Sequence, residues 1–181
     1  EISLGLVGSE MCIRDSTTAM YRLTQATLTA AGYDHYEISN YAHPGYHCRH
    51  NRVYWENRPY YGFGMGATSY TCHQRFSRPR TTDTYRVWVE DYVARGGQID
   101  CTPTPRQEQW LDQLMVGLRL RAGVDLRALA ATYGTAAVAE LRALLTPEIH
   151  KGWVVIDPIP APRLRLTDPE GFLFSNQVLV K

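Results

Sequence analysis

An α/β domain followed by a small helical module is the fold class that this sequence predicts, on three observations. The first is a helical face over residues 18–31 (Met20, Leu23, Thr27, Ala30) that stops at Gly32 and feeds a short alternating strand at residues 36–39, half of a repeating helix–strand unit. The second is a further strand near residues 60–65, running into glycines. The third is the order of elements after residue 105: three helices, two strands and a closing helix, as in a winged-helix-like module.

Residues 1–16, EISLGLVGSEMCIRDS, have no clean period and begin without methionine. Their GLVGSEMCIRDS string resembles a translated sequencing-adaptor remnant, so the segment is set aside as non-native and the true beginning of the chain is expected to be missing. The stretch AHPGYHCRHNRVYWENRP between the first two strands is long and aromatic, which argues for an ordered functional loop. Thr82 and Asp83 cap a helix with the face Tyr85, Trp88, Val89, Tyr92 and Val93, closed by Gly96 and Gly97. Residues 98–105 read as a linker. Thr104 caps the next helix and Pro105 opens it, with Trp110, Leu111, Leu114, Met115 and Leu118 as its buried stripe.

Asp125 caps a third helix with Leu126, Leu129, Ala130 and Tyr133 inward, and a fourth covers residues 136–145. Residues 153–156 and 163–166 form two strands joined by a proline-rich turn, and Thr167 with Glu170 forms a capping box before the last helix. The winged-helix order raises DNA binding, but the candidate helix AAVAELRALL carries one arginine and the whole chain has a net charge of +1. Nucleic-acid binding is therefore not expected.

With 44% hydrophobic and 20% charged residues the chain is an ordinary globular sequence. No apolar run approaches the roughly 18 residues needed to cross a bilayer, and a cytoplasmic setting is expected. Cys12, Cys48, Cys72 and Cys101 are spaced too widely for a CxxC zinc or redox motif and are expected as free thiols.

Five of the six histidines lie between His35 and His73, in a stretch dense with tyrosine. Such crowding of polar rings exceeds what a core needs, since each buried polar tip must find a partner. Within it, His50, Asn51 and Tyr54 spell HNxxY. Imidazole is a standard axial ligand of haem iron, Asn51 and Tyr54 offer hydrogen bonds to it, and Tyr46, Trp55 and Tyr60 offer flat apolar surface. The competing reading is a surface loop with a hydrogen-bonded histidine. A zinc site from His47, Cys48 and His50 has strained spacing. Gly62, Gly64 and Gly66 in GFGMGATS suit either a backbone wall against a nucleotide-like cofactor or tight strand packing, and do not match GxGxxG. Glu37, Ser39 and Asn40 alternate outward from the first strand, towards a pocket if one is there.

Taken together, YEISNYAHPGYHCRHNRVYW, YYGFGMGATSY, LMVGLRLRAGVDL and RLRLTDPEGFLFSNQVLVK, in this order, resemble the radical-SAM haem chaperone HemW family, also described as oxygen-independent coproporphyrinogen III oxidase-like. The likeness runs from residue 18 to the end and corresponds to that family's carboxyl-terminal half. It implies that residues 17–80 are the closing βα units of a partial TIM-type radical-SAM barrel, 81–105 a helix and linker, and 106–181 a HemN-type carboxyl-terminal domain. It implies haem chaperoning, with delivery of haem to respiratory acceptor proteins, peripheral at the membrane if at all; the alternative is an oxidase-like enzyme of porphyrin biosynthesis. His50 becomes the expected haem-iron ligand, with Asn51, Tyr54, Gly62, Gly64 and Gly66 as cofactor-binding positions. Full-length members carry a [4Fe–4S] cluster and S-adenosyl-L-methionine on CxxxCxxC. This chain has no such motif, its Cys48 belongs to the CRHN string, and it is expected to be catalytically inactive alone.

Overall fold

The computed structural model describes residues 4–71, 74–99, 101–158 and 162–179, with side chains from residue 15 onward. In chain order the elements are α1 (Leu4–Ala30), β1 (Asp34–Glu37), β2 (Asn40–Ala42), α2 (Arg49–Trp55), β3 (Thr68–Thr71), β4 (Gln74–Ser77), α3 (Thr82–Ala94), α4 (Arg106–Gly117), β5 (Val124–Asp125), α5 (Leu126–Tyr133), α6 (Thr135–Leu144), α7 (Thr146–His150), β6 (Val154–Asp157), β7 (Arg163–Leu166), α8 (Glu170–Leu173) and α9 (Ser175–Leu179). The fold is mixed α/β, as expected. Every strand pair among the described residues is antiparallel, in sheets ordered β1-β2, β3-β4 and β5-β7-β6.

Two compact units share the chain. One comprises Glu1–Cys48 with Gly117–Lys181, the other Arg49–Val116. In the first, β1 pairs with β2 on one side (His35 opposite Tyr41) and reaches the 119–121 segment on the other, through Ile38 N–H to Arg119 O at 2.9 Å and Arg121 N–H to Tyr36 O at 3.0 Å. Leu118, Leu120, Val124, Leu126, Leu129, Val138, Leu141, Leu145, Val154, Leu164, Leu166, Phe172 and Val178 build its apolar core.

A polar cluster sits beside that core. The buried His35 places Nδ1 2.9 Å from Asp168 Oδ1, stacks on Tyr41 at 4.1 Å between centroids and meets Phe172 edge-on at 5.1 Å. From α1, Arg22 grips the Glu170 carboxylate with bonds of 2.8 and 2.9 Å, and the Tyr21 hydroxyl donates to Ile38 O at 3.2 Å. Burial, then the nearby Tyr41, Asp168 and Glu37, push the Tyr21 phenol well above its ordinary value.

Several elements differ from the sequence expectation. The helix expected from residue 18 runs from Leu4, because nothing in the segment set aside as irregular breaks it: it contains no proline. The strand expected at 36–39 is a tight hairpin, and the strand near 60–65 is a single bridge from Tyr60 to Tyr70, with the ladder displaced to Thr68–Thr71. The Glu170 half of the expected capping box is occupied by Arg22; Thr167 Oγ1 alone accepts, from Gly171 N–H at 2.9 Å. Leu111 and Met115 are exposed while Leu114 and Leu118 are buried, so the stripe on α4 is narrower than predicted. The helix over Thr82–Ala94 closes at the glycines, but none of its residues is fully buried, and Val93 is 68% exposed. Cys72 and residues 159–161 of the proline-rich turn lie outside the described residues.

Asp125 caps α5 as the sequence predicts, accepting from Arg127 N–H at 2.8 Å and Ala128 N–H at 3.1 Å. The Ala128 bond above all holds its carboxyl below the usual range. A group with a depressed folded pKa stabilises above its unfolded value of about 4 and loses that contribution as pH falls through the lower folded value. Asp125→Ala should reduce the urea-unfolding free energy at neutral pH by about 1 kcal/mol, with the gap from wild type narrowing on acidification. A gap of constant size down to low pH would remove the charge from this account of the cap.

Candidate functional site

The HNxxY residues lie on α2, a helix inside the segment expected as a loop. RHNRVYW has no apolar stripe, and no residue of α2 is fully buried, so hydrophobic periodicity could not announce it. Local bonds define it instead. Asn57, at φ +51°, ends the helix in the left-handed region, and Arg58 N–H returns to Val53 O at 3.0 Å. Arg52 reaches Glu56 one turn on at 2.6 Å, and Arg58 shares the same carboxylate at 3.0 Å.

One helical turn separates His50 from Tyr54, so both side chains share a face. The Tyr54 hydroxyl oxygen lies 3.1 Å from His50 Nε2, within hydrogen-bond reach, with the two rings perpendicular (89°) and 5.0 Å between centroids. His50 is exposed, Tyr54 half-buried. The aromatic series continues inward: Tyr54 meets Tyr60 edge-on at 4.5 Å, and Tyr60 lies 6.2 Å from the buried Tyr70, with which it exchanges backbone bonds of 2.8 and 2.9 Å. Burial, chiefly, pushes the Tyr60 phenol above its ordinary value. Asn51 is half-buried and makes no side-chain hydrogen bond recorded among the described residues. Tyr46 is 82% exposed.

The three glycines play different parts. At Gly62 a Cβ would collide with the Thr68 carbonyl, and the Gly62 N–H donates to Ser69 Oγ at 3.1 Å. That is tight packing. Gly64, at φ +90°, has open space where a Cβ would stand, and next to it Phe63 is 83% exposed. Gly64 thus keeps the geometry of a backbone wall open to a ligand, while Gly66, at φ +68°, donates its N–H to Pro79 O at 2.9 Å and has Arg80 Cγ 3.5 Å from where a Cβ would stand.

The zinc reading fails: His47 Nε2 lies 3.2 Å from Asp34 and its ring stacks on Tyr36 at 4.5 Å, and no group of three or more ligating side chains occurs among the described residues. Glu37 does not point outward. It is buried and accepts from Asn40 Nδ2, and its second oxygen has no partner among the described residues. Cys48 and Cys101 are free thiols, as expected.

Sequence reasoning missed Arg78. Its guanidinium is buried, donates to Ser69 Oγ at 3.0 Å and lies over the rings of Tyr61, Phe76 and Trp88 at 5.4, 5.6 and 5.3 Å. Trp88 in turn stacks between Tyr85 and Tyr92, at 5.9 and 5.1 Å, and the bond to Tyr92 is the first cause of the raised Tyr61 phenol. The alternating QRFSR run beside aromatics was its only signal.

Residues 104–174 match the model of the HemN C-terminal domain family. The haem chaperone HemW of Synechocystis sp. is 44% identical over 172 residues, which is 88% of this chain and 42% of that protein. HemW of Bacillus subtilis is 30% identical over 78% of this chain and 37% of its own length. The solved coproporphyrinogen III oxidase HemN of Escherichia coli, a radical SAM enzyme, superposes with a TM-score of 0.61 at 17% identity, covering 88% of this chain and 39% of that one. Most of the chain is thus similar to haem chaperones named HemW, and it spans about two-fifths of their length.

The glycine geometry makes a direct prediction. Gly62→Ala should lower the melting temperature of the Arg49–Val116 unit by roughly 10 °C or more, since backbone must shift to admit the methyl, whereas Gly64→Ala should cost about 1 kcal/mol for an unfavourable positive φ, a shift of roughly 4–8 °C. Equal losses for the two variants in thermal melts would reject the packing role assigned to Gly62.

Proposed function

We propose that this chain is a haem-holding part of a HemW-like haem chaperone, with the His50 imidazole as axial ligand of the haem iron and a respiratory haem protein as acceptor. The observation that carries this reading is the exposed His50 ring on α2, backed by Tyr54 and Tyr60, in a chain 44% identical to a protein named as a haem chaperone. The residues fit haem: an accessible imidazole supplies the ligand, and neighbouring aromatic rings supply apolar edges for a macrocycle. In this reading Asn51 lies beside the ligand, Tyr54 governs it, and the open backbone at Gly64 is a second contact surface, with Gly62 and Gly66 shaping its loop.

The finer fold follows the same proposal. The α/β segments before residue 80 are taken as closing units of a partial radical-SAM barrel, and α4–α6 with the β6–β7 ribbon and α8 as a winged-helix-like module serving packing, not DNA. The cysteines of this chain do not fit a [4Fe–4S] cluster: CxxxCxxC is absent from the sequence. No step is therefore routed through a cluster or S-adenosylmethionine here. The oxidase-like alternative is not preferred, because the likeness to HemN at 17% identity concerns the fold alone. No helix among the described residues is long and apolar enough to cross a membrane, so hand-over to a membrane-bound acceptor is taken as peripheral.

The test is a titration with ferric haem, wild type beside His50→Ala, followed by visible absorbance. Wild type should give a saturable Soret shift, and His50→Ala should weaken it by about tenfold or more. Equal binding by both proteins would move the ligand elsewhere and leave HNxxY as loop architecture.

A further inference from the structure

The hydrogen bond between Tyr54 and His50 has a chemical consequence for any iron that approaches. An imidazole offers iron one lone pair, on whichever ring nitrogen lacks a proton. At Nδ1 the adjacent ring carbon carries Cβ and the main chain, and a porphyrin, which extends several ångströms around its iron in every direction, collides with that substituent. At Nε2 both neighbouring carbons carry only hydrogen. Haem iron therefore needs Nε2, and Nε2 of His50 is the ring nitrogen that faces the Tyr54 hydroxyl, 3.1 Å away.

We propose that the Tyr54 hydroxyl donates to Nε2 of His50 and is thereby a displaceable cap on this iron-binding nitrogen, competing with haem for the ligand. This rests on the haem-binding reading above. In the exchange the O–H···N bond breaks, the Nε2 pair is donated to iron, and the hydroxyl keeps its proton and turns to water. The proton on Nδ1 stays where it is, so the cap already holds the tautomer that iron requires.

Tyr54 is not a loose competitor. Its ring is held edge-on against Tyr60 at 4.5 Å, and both residues of the bonded pair stand one turn apart on α2, so the hydroxyl returns to Nε2 whenever iron leaves. A capped state of the free protein lowers apparent affinity by the fraction of molecules that remain uncapped, without touching the intrinsic strength of the iron–nitrogen bond. For a carrier that must surrender its cargo, this favours release. It also opposes the expectation that all three HNxxY residues strengthen haem binding.

The experiment uses the full chain and two variants lacking the hydroxyl, Tyr54→Phe and Tyr54→Leu, with circular dichroism to certify folding. Tyr54→Phe keeps the ring against Tyr60, and Tyr54→Leu is the second route to the same loss. Titrated with ferric haem, each should bind about three- to tenfold more tightly than wild type, the range expected for loss of one competing hydrogen bond. Without haem, nitrogen NMR of the His50 ring should find the proton on Nδ1 in wild type and redistribution towards Nε2 in both variants. Unchanged or weaker haem binding by folded variants overturns the cap, as does an Nε2-protonated ring in the wild-type protein. If His50→Ala binds haem as wild type does, the ligand assignment falls; if it loses binding while the Tyr54 variants fail to tighten it, only the cap falls.

Discussion

The contact between His35 and Asp168 is the constraint on which the larger unit depends. It joins positions 133 residues apart, is buried on the histidine side, and ties β1 to the turn that precedes α8. Apolar packing alone would allow β1 to slide along its neighbours. A buried imidazole cannot slide, because leaving its carboxylate would strand two polar groups away from water. Around this pair the rest falls into register: Tyr41 stacks on one face of His35, Phe172 meets its edge, and Arg22 holds Glu170 two residues from Asp168. Asp168 lies inside the stretch that matches the HemN C-terminal domain family and His35 outside it, so that stretch is fastened to the segment that leads towards α2.

In the Arg49–Val116 unit a cation takes the organising part. Arg78 is buried with no carboxylate partner among the described residues; three aromatic faces and one serine hydroxyl receive it. The rings supply quadrupole attraction where an acid would supply charge. This arrangement shapes the loop containing Gly62 and Gly64, since Ser69 bonds both Arg78 and the Gly62 N–H. Tyr70 and Tyr60 then carry the packing outward to Tyr54 and His50. The exposed imidazole thus stands at the end of a chain of ring contacts that begins in the buried part of the unit.

Local rules made much of this legible. Asp125 before an apolar run announced its helix, and the alternation of 163–166 announced β7, because cap and pleat are properties of a few adjacent residues. The composition of the 36–70 stretch located the candidate site, and HNxxY named its residues. What stayed hidden depends on partners far away or on bonds that leave no periodic trace. Arg78 reads as a surface residue because charged side chains usually are. Glu37 reads as an outward strand position, yet it is enclosed and bonded by Asn40 across the hairpin. α2 has no buried face, so no pattern of apolar spacing marks it. The bond from Tyr54 to His50 was visible as a possibility in the i, i+4 spacing; its competition with iron was not, since that depends on which nitrogen the hydroxyl meets.

The shortness of α2 bears on kinetics. Seven residues are too few for a helix to be stable by itself in water, and this one rests on its end structure and on partial burial instead of a packed face. Such segments open by local fraying, at a free energy far below that of global unfolding. Fraying separates positions 50 and 54, which are neighbours only while the turn exists. The alignment of imidazole with hydroxyl therefore has the lifetime of one helical turn, and amide exchange across residues 49–55 will be fast even where the cores on either side in sequence exchange slowly.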